Sequence, residues 1–264
     1  SEPKPDAAPS ATTRGAQGGL KRTAVRNGLW AMVALVGNRG LSFLTVAVLS
    51  RLLFEDYGAI AALMTVLFFV EAGLGLGLGS ALIYEQEEGQ TRRVDVAFTA
   101  NLGMALAVGG VVILAAPALG SFFQVEEYDD MFRLLGAGLL FRGFSQIPDA
   151  LLKRDLRFRA RTAVDLSRGL TRMVVAVGLA AAGMGVMAAA WGLFAAEVVA
   201  AVGFLSQAHY RPRLRFDWPI AKSMLRFAVA ILAIRLVGQL AVNGDYLIVG
   251  RQLGDTALGF YYNA

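Results

Sequence analysis

Residues 57–83 read YGAIAALMTVLFFVEAGLGLGLGSALI, twenty-seven residues with one charged side chain, Glu71. A helix needs about 20 apolar residues to cross a hydrocarbon core roughly 30 Å thick, so this stretch predicts a transmembrane span. The polar YEQEEGQTRR (84–93) follows it, and a further apolar run covers about 94–116. Runs of the same kind cover about 29–49, 132–152, 169–182, 186–208 and 225–249. Seven spans in all predict an all-α, polytopic membrane protein.

Charge gives the orientation. Nineteen of the 25 Lys and Arg residues fall in four segments that alternate with the apolar runs. These are the N-terminal tail (Lys4, Arg14, Lys21, Arg22, Arg26), Arg92 and Arg93, the stretch Lys153 to Arg172, and the stretch Arg211 to Arg226. The opposite connections hold only Arg51, Arg133 and Arg251. Short loops rich in Lys and Arg stay cytoplasmic, which predicts a cytoplasmic N-terminus. Pro117 and the acidic Glu126 to Asp130 then fall in an exterior loop, and Gly183-Met184-Gly185 forms a tight exterior turn.

Composition narrows the function classes. Apolar residues make up 56% of the chain and charged residues 17%, against about 25% charged in soluble domains. The pI near 9.7 follows from loop topology and does not indicate nucleic acid. There is no cysteine and one histidine, His209, which excludes disulfides, thiolate metal sites and cysteine nucleophiles. No metal, cofactor or catalytic constellation is expected, so the chain reads as a non-enzyme.

Residues 1–26 are rich in Ala, Pro, Ser, Thr and Gly and lack an apolar period, the composition of a disordered tail. Residues 27–210 read as a first transmembrane lobe, and 211–264 as a linker with the start of a second, truncated lobe. A short repeat supports the division: Arg51-Leu52-Leu53-Phe54-Glu55 with Gly58 recurs as Arg251-Gln252-Leu253-Gly254-Asp255 with Gly259, as inverted or duplicated transporter halves would give.

Three stretches carry a family likeness: LSRLLFEDYGAIAALMTVLFFVEAGLGLGLGSALIY (49–84), KRDLRFR (153–159) and NGDYLIVGRQLG (243–254). The chain resembles bacterial polysaccharide flippases, the lipopolysaccharide, O-antigen and exopolysaccharide exporters of the multidrug/oligosaccharidyl-lipid/polysaccharide superfamily, over about residues 25–264. The resemblance implies two six-helix lobes around a central cavity in the bacterial inner membrane, of which this chain holds the first lobe and the start of the second, seven to eight helices in all. It implies alternating access, and an undecaprenyl-pyrophosphate-linked oligosaccharide as substrate. Membrane lipids and a polysaccharide polymerase or export complex are the implied partners.

Such a substrate requires a polar path through hydrocarbon. Arg39, Arg142 and Arg235 lie inside apolar runs, where a charge costs about 2.5–3.5 kcal/mol on insertion scales. They are candidates to face a cavity and hold pyrophosphate oxygens, since guanidinium forks match phosphate. The plainer reading pairs them with Glu71 or Glu197, themselves candidates for ion coupling. Asp245, near the exterior end of its span, reads as a gate or interface residue. Arg154, Arg157, Arg161 and Arg168 roughly share a helical face, as an interfacial helix gathering anionic lipid headgroups would, although charge-set topology alone explains them equally. Gly73/Gly77 and Gly75/Gly79 form two G-x-x-x-G pairs suited to close helix contact. A drug or cation antiporter of the same superfamily, with acids dominating its cavity, is the alternative. A membrane polysaccharide polymerase or a scaffold of the same pathway is another.

Overall fold

A computed structural model describes residues 11–53, 57–74, 90–208 and 210–263. Every regular element among them is a helix: α1 (Ala11–Leu52), α2 (Tyr57–Leu74), α3 (Gln90–Leu114), α4 (Ala116–Phe123), α5 (Asp129–Arg154), α6 (Phe158–Ala181), α7 (Met187–Gln207), α8 (Trp218–Gln252) and α9 (Gly254–Asn263). This is the expected polytopic all-α membrane protein, with seven long helices and the short α4 and α9 among the described residues. By length and composition, Gly28–Leu52, Arg92–Leu114 and Met187–Gln207 are apolar enough to cross a bilayer. Helices α5 and α6 are long enough, at about 1.5 Å per residue, but carry the buried charges described below. Gly75, Gly77, Gly79, the 84–89 segment and His209 lie outside the described residues.

Several boundaries differ from expectation. Helix α1 begins at Ala11, inside the stretch expected to be structureless. The tail's prolines, Pro3, Pro5 and Pro9, all precede it, and the Ala, Gln, Leu, Lys and Arg that follow favour helix. The segment at Pro117, expected to be a loop, is the short helix α4, with proline in its first turn, where a missing N–H is harmless. Helix α6 starts at Phe158, eleven residues before the predicted span, so Arg161 and Arg168 belong to a long helix rather than a loop.

The turn Gly183-Met184-Gly185 forms as predicted. Gly183 has φ +88°, and the bonds Gly183 N–H to the Ala180 carbonyl and Met184 N–H to the Leu179 carbonyl, both 3.0 Å, close α6. This is a Schellman cap. Helix α5 ends in the same way, with Leu156 N–H on the Lys153 carbonyl at 3.1 Å and Arg157 N–H on the Leu152 carbonyl at 2.9 Å. There the left-handed residue is Leu156, at φ +55°.

The first lobe is built by α6 against α7, α3 against α5, α5 against α7, and α1 against α6. Several buried polar side chains inside it bond to backbone carbonyls. Thr45 and Thr65 donate to carbonyls one turn back, and buried Asn101 donates to the Gly143 carbonyl at 2.8 Å, tying α3 to α5. The start of the second lobe docks on α2 through α8 and α9. At that contact the two glycines of the sequence repeat meet: a Cβ on Gly259 would lie 2.9 Å from the Gly58 nitrogen. Tyr57, Phe68, Tyr246 and Tyr262 pack around it with ring centroids 5.8–6.4 Å apart.

Two outcomes follow for thermal unfolding of the purified protein. Leu156→Gly removes a left-handed leucine whose side chain is exposed and is expected to stabilise by about 1 kcal/mol; a loss of stability contradicts the cap. Gly259→Ala is expected to destabilise by about 1–3 kcal/mol through overpacking against backbone. Gly238→Ala, where a Cβ meets nothing within 4 Å, should be neutral or slightly stabilising.

Candidate functional site

Four residues on α6, Arg161, Asp165, Arg168 and Arg172, recur at i, i+4, i+7 and i+11. That spacing puts them on one helical face over about 16 Å of helix. The face points into the lobe. At its outer end Asp149 of α5 accepts from Arg161 Nε at 2.7 Å and pairs with Lys153 at 2.5 Å, while Arg161 also reaches Asp165 at 3.2 Å.

One to two turns deeper, four helices are joined by charge. Arg142 Nη1 of α5 donates to Glu71 Oε1 of α2 at 2.6 Å and to Glu197 Oε1 of α7 at 3.3 Å. Arg168 Nη2 donates to the same Glu197 oxygen. Glu197 is 6% exposed, and its Oε2 makes no hydrogen bond among the described residues, nor does Arg142 Nε. Ionised, hydrogen-bonded pairs of this kind are the standard solution to burying charge in an apolar bundle.

Arg172 lies beyond these pairs. Its Nη2 donates to the thioether of Met64 at 3.3 Å, a weak acceptor. Among the described residues no carboxylate lies within ion-pair distance of it.

A cavity of about 180 Å³ opens beside the network, lined by α1 (Asn38, Ser42, Thr45), α2 (Glu71), α6 (Asp165, Arg168, Arg172) and α7 (Glu197). A wider space of about 840 Å³ adjoins it, sharing Asn38, Ser42 and Asp165 and adding Arg39 and Arg161. The wider space lies toward the end of the bundle where α5 passes into α6. The aromatic group at the α2–α9 contact lies on the other side of the network, with Tyr57 and Tyr262 within electrostatic reach of Arg172.

Residues 48–264 match the family described as polysaccharide biosynthesis protein. The chain belongs to this family. The succinoglycan biosynthesis transport protein ExoT of Rhizobium meliloti is 28% identical over 242 residues, 91% of this chain and 49% of that protein. The teichuronic acid biosynthesis protein TuaB of Bacillus subtilis is 26% identical over 199 residues, 73% of this chain and 40% of its own length. The chain thus spans about half the length of these curated relatives. In fold it is similar to an inward-facing multidrug resistance MATE family transporter of the MOP superfamily. The TM-score is 0.62 at 18% identity, over 88% of this chain and 59% of that one.

In this polysaccharide biosynthesis protein the predicted residues fall in different places. Arg142, Glu71, Glu197 and Arg168 come together in one network, so the plainer pairing foreseen for Arg142 is the one observed. Arg39 is exposed and lines the wider space, with no ion pair among the described residues. Arg235 lies in α8, its side chain outside the described residues. Asp245 accepts a 2.6 Å bond from the Tyr261 hydroxyl beside the α2–α9 contact. Arg154, Arg157, Arg161 and Arg168 do not share one interfacial helix. The Asp155–Leu156 turn separates Arg154, which ends α5, from Arg157, which precedes α6 and donates to the Gln207 carbonyl at 2.6 Å. Arg161 and Arg168 face the lobe interior instead.

Arg172 and Asp165 were missed because the basic stretch from Lys153 reads as a loop. The i, i+4, i+7, i+11 spacing was the available signal. The cavity lining is also mixed rather than simply cationic: with Arg142, three arginines face Glu71, Asp165 and Glu197.

Arg142→Leu strands Glu71 and is expected to destabilise the protein by about 3–5 kcal/mol. Arg172→Leu, which breaks no carboxylate pair, should cost less than half of that. Unfolding midpoints in matched micelles compare the two, and equal losses would contradict the pairing described.

Proposed function

We propose that this chain forms the first lobe and the start of the second lobe of a transporter that flips lipid-linked oligosaccharide across the bacterial cytoplasmic membrane. The substrate we infer carries an undecaprenyl pyrophosphate, and movement is by alternating access without catalysis. Residues 27–210 form the first lobe, 211–264 the connection and second-lobe start, and the N-terminus is cytoplasmic. Family membership, and relatives named for succinoglycan transport and teichuronic acid biosynthesis, support the polysaccharide class. The likeness to a MATE transporter supports the fold that alternating access requires.

The observation that carries the reading is the charged face of α6. A diphosphate entering from the wide side meets Arg39 and Arg161, then Arg168, then Arg172, whose acceptor is only a thioether. Each arginine above Arg172 already holds a carboxylate except Arg39. The anion can therefore advance by exchanging places with Asp165 and Glu197, so that Arg161 and Arg168 are not left bare in a poorly hydrated space. Glu197, whose second oxygen makes no hydrogen bond among the described residues, is the candidate coupling group when Arg168 turns to the substrate. The drug or cation antiporter reading gains three cavity acids, but all three are engaged by arginines. An uncommitted Arg172 suits an anion better.

The test is complementation of a flippase-null strain with the full-length gene at matched expression, scoring surface polysaccharide and the leaflet holding the precursor. Arg172→Gln is expected to lower export about tenfold to a hundredfold, the loss of one charge-assisted contact, with precursor trapped on the cytoplasmic side. Arg39→Ala and Arg235→Ala test the remaining intramembrane arginines in the same assay. Normal export by the Arg172 variant would defeat the proposed anion path.

A further inference from the structure

The connection between the lobes, residues 210–217, has no regular structure. Its sequence with the first residue of α8, Arg211-Pro212-Arg213-Leu214-Arg215-Phe216-Asp217-Trp218, alternates charged with apolar side chains. In an extended chain such alternation puts the two kinds on opposite sides. The Phe216 and Trp218 rings, two residues apart, do lie together at 6.0 Å.

The segment is fixed in place. The half-buried Tyr210 donates its hydroxyl to Asp95 Oδ1 of α3 at 2.7 Å, the Arg215 N–H donates to Thr99 Oγ1 at 2.9 Å, and Arg92 pairs with Asp217 at 2.5 Å. Burial, then the bond to Asp95, raises the Tyr210 phenol above its ordinary pKa, so it stays a neutral donor.

So held, the segment leaves its apolar side bare: Leu214 is 72%, Phe216 66% and Trp218 61% exposed. Arg211, Arg213 and Arg215 are also exposed and make no side-chain ion pair among the described residues. Three large apolar side chains beside three guanidinium groups with no ion pair among the described residues do not suit water. They suit a membrane–water boundary, where aromatic rings sit at headgroup level and arginines meet phosphates. The position agrees, since the segment lies at the basic end of the bundle, beside Arg92, Arg93 and the α5–α6 turn.

We propose that residues 211–218 form an interfacial strap that docks on anionic phospholipid headgroups of the adjacent leaflet, Leu214, Phe216 and Trp218 entering the interface and Arg211, Arg213 and Arg215 holding phosphates. The strap anchors the linker between the lobes and is independent of what the cavity carries.

The test uses the full-length protein with Trp30→Phe and Trp191→Phe, and with any tryptophan outside residues 1–264 replaced in the same way, so that Trp218 is the reporter. It is placed in phosphatidylcholine nanodiscs containing equal fractions of brominated phosphatidylglycerol or brominated phosphatidylcholine. Quenching of Trp218 by the anionic lipid is expected to exceed that by the neutral lipid about twofold or more, since each basic residue adds roughly 1 kcal/mol of attraction. Arg211→Gln, Arg213→Gln and Arg215→Gln together should bring that ratio to one while quenching by the neutral lipid persists. Equal quenching in the parent would overturn headgroup recognition. Absence of quenching by either lipid would mean that protein or water covers the strap.

Discussion

Arg142, held between Glu71 and Glu197, is the constraint around which the lobe is built. An isolated arginine at this depth would disfavour insertion, and either acid alone would fare little better. Together they convert three liabilities into a cross-link among α5, α2 and α7, and Arg168 extends it to α6. Apolar packing between membrane helices is a weak discriminator of partners, because lipid tails are as apolar as leucine. Shared charges supply the missing specificity, since any other arrangement of these helices leaves an ion bare.

The same network separates two different ends. Toward the α5–α6 turn the lobe opens into the space lined by Arg39, Arg161 and Asp165. Toward the α1–α2 junction, Gly58 and Gly259 touch and tyrosines fill in around them. Gly58 stands seven residues after Arg51 and Gly259 eight after Arg251, so the contact joins the start of α2 to the middle of α9. Contacts of this kind can part without breaking ion pairs, because they rest on backbone proximity and ring packing.

Much of this was legible in the sequence, and the exceptions share a cause. Apolar length located the spans, and Arg142 with Glu71 and Glu197 stood out as intramembrane charges that needed one another. The charged face of α6 was hidden because its four ionic residues follow Lys153, Arg154, Arg157 and Arg159, and a crowded basic stretch looks like a loop. The boundary itself gave no sign, since the left-handed residue that ends α5 is Leu156 where a glycine would have announced the turn. The bare side of 211–218 was likewise invisible to counting, which saw its arginines as topology and not the apolar residues between them.

Binding to Arg172 is where the account is most exposed. The direct measurement is native mass spectrometry of the purified protein with an isoprenyl pyrophosphate and with the matching isoprenyl alcohol, for the parent and for Arg172→Gln. The account predicts that the parent retains the pyrophosphate lipid in preference to the alcohol and that the variant loses the preference while remaining folded. Equal retention of the pyrophosphate lipid by parent and variant would contradict it, and would return the charged face of α6 to a purely structural role.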